Sequence, residues 1–249
     1  MMIDAHIHLD HYEEHEQLLL LEQAEALIAV SSDLASCMKI HDLASVHPAV
    51  KPAYGFHPEQ SIPSSSELET LFSWMEVHAG EMAAVGEVGL PYYKNLESPL
   101  NYQPYIELLE RFMDFAAKWA KPIVLHAVYE DASIACDLLE KHGVAKAHFH
   151  WFKGDEMVVK RMIRNGYFIS VTPDCVYEKE IQQLIRIYPL QQMMVETDGP
   201  WPFEGPFRSK RTEPWMMKHS IEKIAEIKKL SIEETMRILY NNTKKFYEI

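Results

Sequence analysis

Two histidines separated by one residue, His6 and His8, lie in the opening segment MMIDAHIHLD. Alternate residues of a β-strand point to the same side, so both imidazoles can reach one metal ion if this segment is a strand. A pair of this kind on its own more often belongs to an ordinary protein surface, because such short motifs are common by chance. The pair therefore indicates metal chemistry only if further ligands converge on it.

Four further candidate ligands follow short apolar segments that have the character of strands. They are Glu87 in AVGEVGL, His126 in KPIVLH, His150 in AHFHWFKG and Asp198 in VETDGP. A buried histidine or carboxylate costs several kcal/mol in desolvation unless it is paired or bound to a metal ion. Taken singly, each has an ordinary alternative: a buried ion pair for the glutamate, a hydrogen-bonded core position for the histidines and a loop cap for the aspartate.

Together the six residues predict a metal site made of four imidazoles and two carboxylates, with no thiolate. This set leaves the metal open among Zn, Mg, Mn, Ni, Co and Fe. Six ligands exceed one tetrahedral shell, and two divalent ions about 3.5–4 Å apart would use them all if one carboxylate bridged them. Because such ions lower the pKa of a bound water toward neutrality, the expected function is that of a metal-dependent hydrolase.

These ligands need a scaffold that brings the ends of several strands together. The pattern predicts strands at 2–6, 26–31, 50–54, 82–87, 122–126, 146–150, 167–171 and 193–197, and helices at 13–25, 33–46, 66–79, 101–120, 131–142, 155–165, 176–188, 212–229 and 231–246. Eight strands, each followed by a helix, predict an α/β fold, a (β/α)₈ TIM barrel in one domain over 1–249 with an extra C-terminal helix. A doubly wound open sheet is the structural alternative, although it more often has five to seven strands.

Composition restricts the class of protein further. The chain has 249 residues, 47% of them hydrophobic, and no apolar run as long as a membrane span. It shows no secretory signal segment, and its three distant cysteines, Cys37, Cys136 and Cys175, favour a reducing, cytoplasmic location. Nothing in the sequence indicates an obligate protein partner. The formal net charge of −13 means that a polyanionic substrate requires a local source of positive potential.

Substrate contacts are less sharply indicated than metal ligands. His57, after the third predicted strand, is a candidate phosphate donor or an outer partner of the metal ligands, and it fits a turn before Pro58 equally well. Arg208, Lys210 and Arg211 lie in the long proline-rich loop at 198–214 and are candidate contacts for a phosphodiester anion. A solvated loop with scattered charge explains them equally well.

The whole chain resembles the TatD family of metal-dependent hydrolases, within the amidohydrolase-like barrels. In chain order the shared motifs are D-x-H-x-H-L-D at Asp4, His6, His8, Leu9 and Asp10, GFHP at Gly55, His57 and Pro58, EVGL at Glu87, His126, HWFKG at His150, TDGP at Asp198, RSKRTEP at Arg208, Lys210 and Arg211, and N-T-x-x-F at Asn242, Thr243 and Phe246. The resemblance implies that His6, His8 and Asp198 hold one ion, that His126 and His150 hold a second, and that Glu87 bridges them. It also implies that Asp198 accepts the proton of the attacking water.

The resemblance further implies a 3′-to-5′ deoxyribonuclease-like activity on small or oligomeric phosphodiesters, including single-stranded DNA ends. Two positions depart from the family pattern. Pro91 stands where the family often has Asp, and Val128 stands where it often has Arg. Because metal-activated water also attacks carbonyl carbon, hydrolysis of an amide, a lactone or an aminoacyl ester is an alternative. A non-catalytic metal-binding scaffold is the alternative of another class.

Overall fold

Eight parallel strands form a nearly closed barrel, as the computed structural model shows for residues 2–249, the part of the chain that it describes. The strands are β1 (Ile3–Ile7), β2 (Ala26–Val30), β3 (Val50–Tyr54), β4 (Ala84–Gly89), β5 (Ile123–His126), β6 (Ala147–Phe149), β7 (Phe168–Val171) and β8 (Met193–Val195). Each strand pairs with the next in sequence, and a bridge between Ile7 and Gly199 brings the end of the sheet back to β1. The predicted (β/α)₈ barrel is confirmed.

Helices surround the barrel. They are α1 (Glu14–Leu21), α2 (Leu34–Val46), α3 (Ser65–Val77), α4 (Tyr92–Glu97), α5 (Gln103–Trp119), α6 (Glu130–His142), α7 (Glu156–Asn165), α8 (Lys179–Ile187), α9 (Met217–Lys228) and α10 (Ile232–Tyr247). The predicted extra C-terminal helix is α10, which follows α9 directly. Within residues 2–249 none of these helices has the length and apolar character of a membrane span. The cytoplasmic location stays a prediction.

The core lies between the strands and the inner faces of the helices. The strands are buried almost throughout, as expected of parallel strands that are covered on both faces. In α5 the buried side chains recur at helical spacing, and they are Tyr105, Leu108, Leu109, Phe112, Met113, Phe115 and Ala116. This stripe packs α5 against β4, and the helix predicted at 101–120 is confirmed.

A single residue at the start of the barrel joins its two ends. The buried carboxylate of Asp4 on β1 accepts the backbone N–H of Thr197 at 2.9 Å and its hydroxyl at 2.5 Å. Two backbone bonds add to this closure, because Asp198 donates to the carbonyl of His6 and His8 donates to that of Gly199. Burial raises the pKa of Asp4 to about 7, and the hydrogen bonds from Thr197 limit the rise.

Three segments differ from the sequence prediction. The helix α4 was not predicted, because none of its residues is buried and it therefore has no apolar periodicity. The predicted helix at 176–188 is a 3-10 turn, Pro173–Val176, followed by α8. The loop predicted at 198–214 contains the 3-10 turn Gly205–Phe207, and the buried side chains of Phe203, Phe207 and Met216 pack together and anchor it.

The stripe on α5 can be tested with two leucines that lie in different surroundings. Leu109 is 1% exposed, whereas Leu18 on α1 is 50% exposed. We expect Leu109→Ala to lower the free energy of unfolding by about 2–5 kcal/mol through lost burial and a residual cavity. Leu18→Ala should change it by less than about 0.5 kcal/mol. Urea unfolding of both variants measures the difference, and equal effects would contradict the core position of the stripe.

Candidate metal centre

All six predicted ligands meet at the carboxyl-terminal ends of the strands. His6 belongs to β1, Glu87 to β4 and His126 to β5, whereas His8, His150 and Asp198 come shortly after β1, β6 and β8. Five of the six residues are buried, and the side chain of His8 is 13% exposed. Glu87, predicted to end its strand, lies inside β4, which continues to Gly89. The carboxylate of Glu87 stands at the centre of the group.

One oxygen of Glu87 faces the candidate ligands that belong to the first and last strands of the sheet or follow them closely. Its Oε2 atom lies 3.2 Å from Nε2 of His6 and 3.2 Å from Nε2 of His8. The Oδ1 atom of Asp198 lies 3.2 Å and 3.5 Å from the same two nitrogens. Ligand atoms about 2.0–2.1 Å from a tetrahedral ion are separated by about 3.3–3.4 Å. These four distances therefore fit one ion on the Oε2 side.

The other oxygen of Glu87 faces a different set of imidazoles. Its Oε1 atom lies 2.7 Å from Nε2 of His150, 3.0 Å from Nδ1 of His126 and 3.4 Å from Nε2 of His57. The nitrogens of His126 and His150 are themselves 3.2 Å apart. The Oε1 side thus offers two or three nitrogens and one oxygen, a donor set that suits divalent transition metals.

Several of these atoms are buried without a hydrogen-bond partner. They are Nδ1 and Nε2 of His6, Nδ1 of His8, Oε2 of Glu87, Nδ1 of His150 and Oδ1 of Asp198. An unpaired buried polar atom costs about 1–3 kcal/mol, more if the group is charged, so this concentration at one point requires an explanation. Cations held between the imidazoles and carboxylates supply one, since lone pairs aimed at a common centre are what a metal ion needs.

The charges of the site depend on one another strongly. Burial alone would raise the pKa of Glu87, but the imidazoles around it hold that pKa well below its usual range. Burial would likewise lower the pKa of His8, but the adjacent carboxylates of Asp198 and Glu87 raise it to about 10. An ion that binds here displaces protons from these nitrogens, so its affinity should rise with pH.

Two carboxylates that the sequence analysis did not select hold the imidazoles of the Oε1 side. Glu59 lies 3.1 Å from Nε2 of His126 and accepts the N–H groups of Tyr93 and Lys94 at 2.9 and 2.7 Å, in the first turn of α4. This contact leaves Nδ1 of His126 directed at Glu87. No pattern in the segment HPEQ indicates such a role, since Glu59 lies in a turn.

Glu196 supports the second imidazole. Its Oε1 atom accepts the N–H of Trp151 at 2.8 Å and lies 3.7 Å from Nδ1 of His150. Carboxylates behind metal-bound histidines fix the tautomer and the orientation of the ring. Glu196 ends an apolar strand two residues before Asp198, so the argument that selected Asp198 from the sequence applies to it as well.

A buried chain of hydrogen bonds runs from α10 to Glu196. Ser170 donates to Glu196 at 2.5 Å, so the nitrogen Nε2 of His148, also 2.5 Å from the serine oxygen, must carry the proton of that bond. Burial holds the pKa of His148 well below its usual range, so its Nδ1 accepts from the hydroxyl of Tyr247 at 2.7 Å. The sequence analysis did not select His148, which is fully buried in β6.

The tautomer of His57 follows from its surroundings. Its Nδ1 accepts the backbone N–H of Glu59 at 3.2 Å, so a neutral ring carries its proton on Nε2. Burial lowers the pKa of His57, which keeps the ring neutral near pH 7. An N–H group is therefore directed at the Oε1 side of Glu87 from a residue that also lines the open cavity.

A cavity of about 1040 Å³ opens above the centre. It is lined by His8, His11, Ser32, His57, Glu59, Tyr93, Lys94, Glu97, His126, Val128, His150, Trp151, Lys153, Asp198, Pro200, Trp201 and Pro202. Its volume is at the upper end of the range of about 300–1,000 Å³ for small-molecule sites. The cavity therefore has room for a substrate at the large end of the small-molecule range.

The three basic residues of the 198–214 loop do not line this cavity. Arg208 donates to Glu204 at 2.8 Å on the surface, and Arg211 donates to both oxygens of Glu16. The ammonium group of Lys210 lies 5.8 Å from the ring of Trp215. The lysines that do line the cavity are Lys94 and Lys153, which the sequence analysis did not select.

The chain is similar to known proteins along nearly its whole length. The family profile described as TatD related DNase matches residues 3–248. A Haemophilus influenzae protein named "Uncharacterized metal-dependent hydrolase" is 40% identical over 253 residues, and the match covers 100% of both chains. A human protein named "Deoxyribonuclease TATDN3" is 28% identical, over 99% of this chain and 94% of that protein.

Solved structures show the same fold. The crystal structure of YJJV, a TatD homologue from Escherichia coli, has a TM-score of 0.88 at 22% identity and covers 100% of this chain and 98% of that one. The structure of a TatD family hydrolase from Entamoeba histolytica has a TM-score of 0.84 at 19% identity, over 99% of this chain and 97% of that one. These likenesses concern the barrel as a whole.

The role of Glu59 can be tested by a change that keeps its size. Because Glu59→Gln removes the charge that orients His126, we expect affinity for a divalent ion on the Oε1 side to fall about 10–100-fold. Equilibrium dialysis with metal analysis measures this. Glu97→Gln is the matched control, since Glu97 lines the same cavity and contacts no imidazole in residues 2–249. Equal affinities in the two variants would exclude the orienting role.

Proposed function

The chain belongs to the TatD related DNase family, and we propose that it hydrolyses phosphodiester bonds at DNA ends, in a 3′-to-5′ deoxyribonuclease-like reaction with two divalent ions. One observation carries the proposal: the two oxygens of the buried Glu87 carboxylate face two separate sets of ligands. A single ion would leave one of these sets unused. When bound, such a pair of ions activates water and neutralises charge on the attacked phosphoryl group.

Asp198 is placed to take the proton of the attacking water. It lines the cavity and lies beside the imidazoles of the Oε2 side. Burial would raise its pKa, but the adjacent imidazoles of His6 and His8 hold that pKa well below its usual range. A carboxylate that stays ionised at neutral pH can accept a proton, which is the requirement for a general base.

His57 is placed to hold an oxygen of the substrate. Its Nε2–H is directed into the centre, and its side chain is 22% exposed toward the cavity. A neutral donor in this position would bind a non-bridging phosphoryl oxygen without competing for the ions. Hydrogen-bond donors aimed at developing charge contribute substantially to catalysis.

The side chains that line the cavity suit the end of a single DNA strand. Tyr93 and Trp201 are 43% and 58% exposed at its mouth, and exposed aromatic faces stack on bases of any sequence. Lys94 and Lys153 are the basic side chains of the lining. With a net charge of −13, the molecule as a whole repels polynucleotide, so these local contacts favour ends or short oligomers over long duplex.

The central test is the loss of nucleotide release when the bridge is removed. Loss of an outer partner of a metal ligand lowers metal affinity or activity about 10–100-fold. Because Glu87 would itself hold the ions, Glu87→Gln should lower release of nucleotides from single-stranded DNA with Mg²⁺ or Mn²⁺ by at least about a hundredfold. Chromatographic detection of the mononucleotides measures it, and the matched control Glu97→Gln should retain activity.

Other outcomes would identify the alternatives. Hydrolysis of an aminoacyl ester, a lactone or an amide with no activity on DNA would replace the nuclease by a carbonyl hydrolase that uses the same centre. Equal trace activity of wild type and Glu87→Gln on every substrate would favour a non-catalytic scaffold.

The two lysines of the cavity give a separate prediction on binding. Because a charge-assisted contact to phosphate is lost, Lys94→Met and Lys153→Met should each raise KM for single-stranded DNA about tenfold and leave kcat nearly unchanged. The dependence of affinity on salt should also become less steep. Lys210→Met is the matched control, since Lys210 packs against Trp215 outside the cavity. An effect confined to Lys210→Met would assign substrate binding to the loop instead.

A further inference from the structure

A second group of potential metal ligands lies on the outside of the barrel, away from Glu87. It consists of His41 on α2, His78 directly after α3, and Glu81 in the turn that leads to β4. None of the three lines the cavity above the candidate metal centre. We propose that these three side chains bind a transition-metal dication such as Zn²⁺, in a site that joins α2 to the end of α3.

The three ligand atoms lie within 4.8 Å of one another. The Oε2 atom of Glu81 lies 3.1 Å from Nδ1 of His41 and 3.6 Å from Nδ1 of His78. These distances lie on either side of the roughly 3.3–3.4 Å that separates two ligands of a tetrahedral zinc ion. Two imidazoles and one carboxylate form a set that zinc enzymes and zinc sites commonly use, with water completing the shell.

The ring of His78 adds an independent observation. Its Nδ1 atom is shielded from solvent and has no hydrogen-bond partner among residues 2–249. The rings of His41 and His78 lie 4.3 Å apart, and Trp74 packs against both, at 5.7 and 4.3 Å between ring centroids. The tryptophan thus forms an apolar wall behind the two imidazoles and restrains their orientation, which lowers the entropic cost of binding an ion.

The open side of the group faces solvent. Glu81 is 57% exposed, and the side chains of His41 and His78 are 25% and 21% exposed. An ion can therefore enter without any movement of the helices, and the acidic character of the chain favours cations. The hydroxyl of Tyr54 lies 3.2 Å from Nδ1 of His41 and competes with an ion for that nitrogen.

A bound ion at this site would stabilise the fold and take no part in hydrolysis. It connects two helices that are joined through β3, and anything that binds only the folded chain raises its stability. The inference does not depend on the proposed nuclease activity, since it concerns ligands on another part of the surface.

The experiment counts zinc ions. Wild type, His78→Gln and Glu81→Gln are equilibrated with Zn²⁺, freed of excess ion, and analysed for zinc per chain, with circular dichroism to confirm folding. We expect each variant to bind one ion fewer than wild type. We also expect added Zn²⁺ to raise the melting temperature of wild type more than that of either variant.

The chain offers a matched control in another histidine and glutamate. His219 and Glu222 have the same sequence spacing and the same 3.6 Å separation as His78 and Glu81, and Trp215 packs against His219. This pair has no third ligand among the groups found in residues 2–249. His219→Gln should therefore bind as much zinc as wild type. Equal zinc in wild type and His78→Gln, or an equal loss in His219→Gln, would overturn the proposal.

Discussion

The structure depends on a single buried charge, the carboxylate of Glu87. An isolated carboxylate in the interior is strongly disfavoured, so the surrounding chain must supply compensating groups. Here five imidazoles lie within 3.4 Å of its two oxygens, from histidines at or after β1, β3, β5 and β6. The arrangement requires the ends of non-neighbouring strands to converge around one point. The rim of a closed parallel barrel provides this, whereas the strand ends of an open sheet lie along a line.

The backbone around Glu87 is shaped for this position. Gly86 precedes it, and a side chain there would meet Cβ of Val124 at 2.6 Å. Gly89 has a φ of +159°, and a side chain there would collide with the carbonyl of His126. Both glycines let β4 lie unusually close to β5, where the register of the pair shifts. The close approach brings Glu87 within reach of His126.

Much of the fold and of the candidate metal centre could be predicted from the sequence, because two sequence patterns are strong indicators. Parallel strands buried on both faces appear as apolar runs, and polar residues that end such runs are conspicuous, as His126 and Asp198 were. What could not be predicted rests on contacts between distant segments. Glu59 looks like an ordinary turn residue until α4, a helix without an apolar face, presents its N–H groups to it.

Residues that lie behind the ligands were missed for a related reason. The role of His148 follows from Ser170 and Tyr247, which lie 22 and 99 residues away in the chain, and no local pattern connects them. Yet His148 and His150 are two residues apart at the end of one strand, as His6 and His8 are, so the rule of alternation indicated that both side chains of each pair point to the same side. That rule was applied to the first pair and not to the second.

The two departures from the family pattern alter the mouth of the cavity without removing the basic side chains that line it. Replacing Asp by Pro91 and Arg by Val128 removes one negative and one positive charge, so the formal charge of the mouth is unchanged. Val128 is buried against the cavity, and the next residue, Tyr129, donates its N–H to the carbonyl of Lys153 at 2.6 Å. A lysine thus stands beside the position where the family often has arginine.

Pro91 has a corresponding consequence on the other side of the cavity. It directly precedes α4, and a proline at the start of a helix pre-sets the backbone without losing a hydrogen bond. That helix presents the N–H groups that hold Glu59, and Glu59 in turn holds His126. Lys94 follows on the same helix and lines the cavity. The substitution therefore removes a charged side chain while keeping the segment that orients a metal ligand.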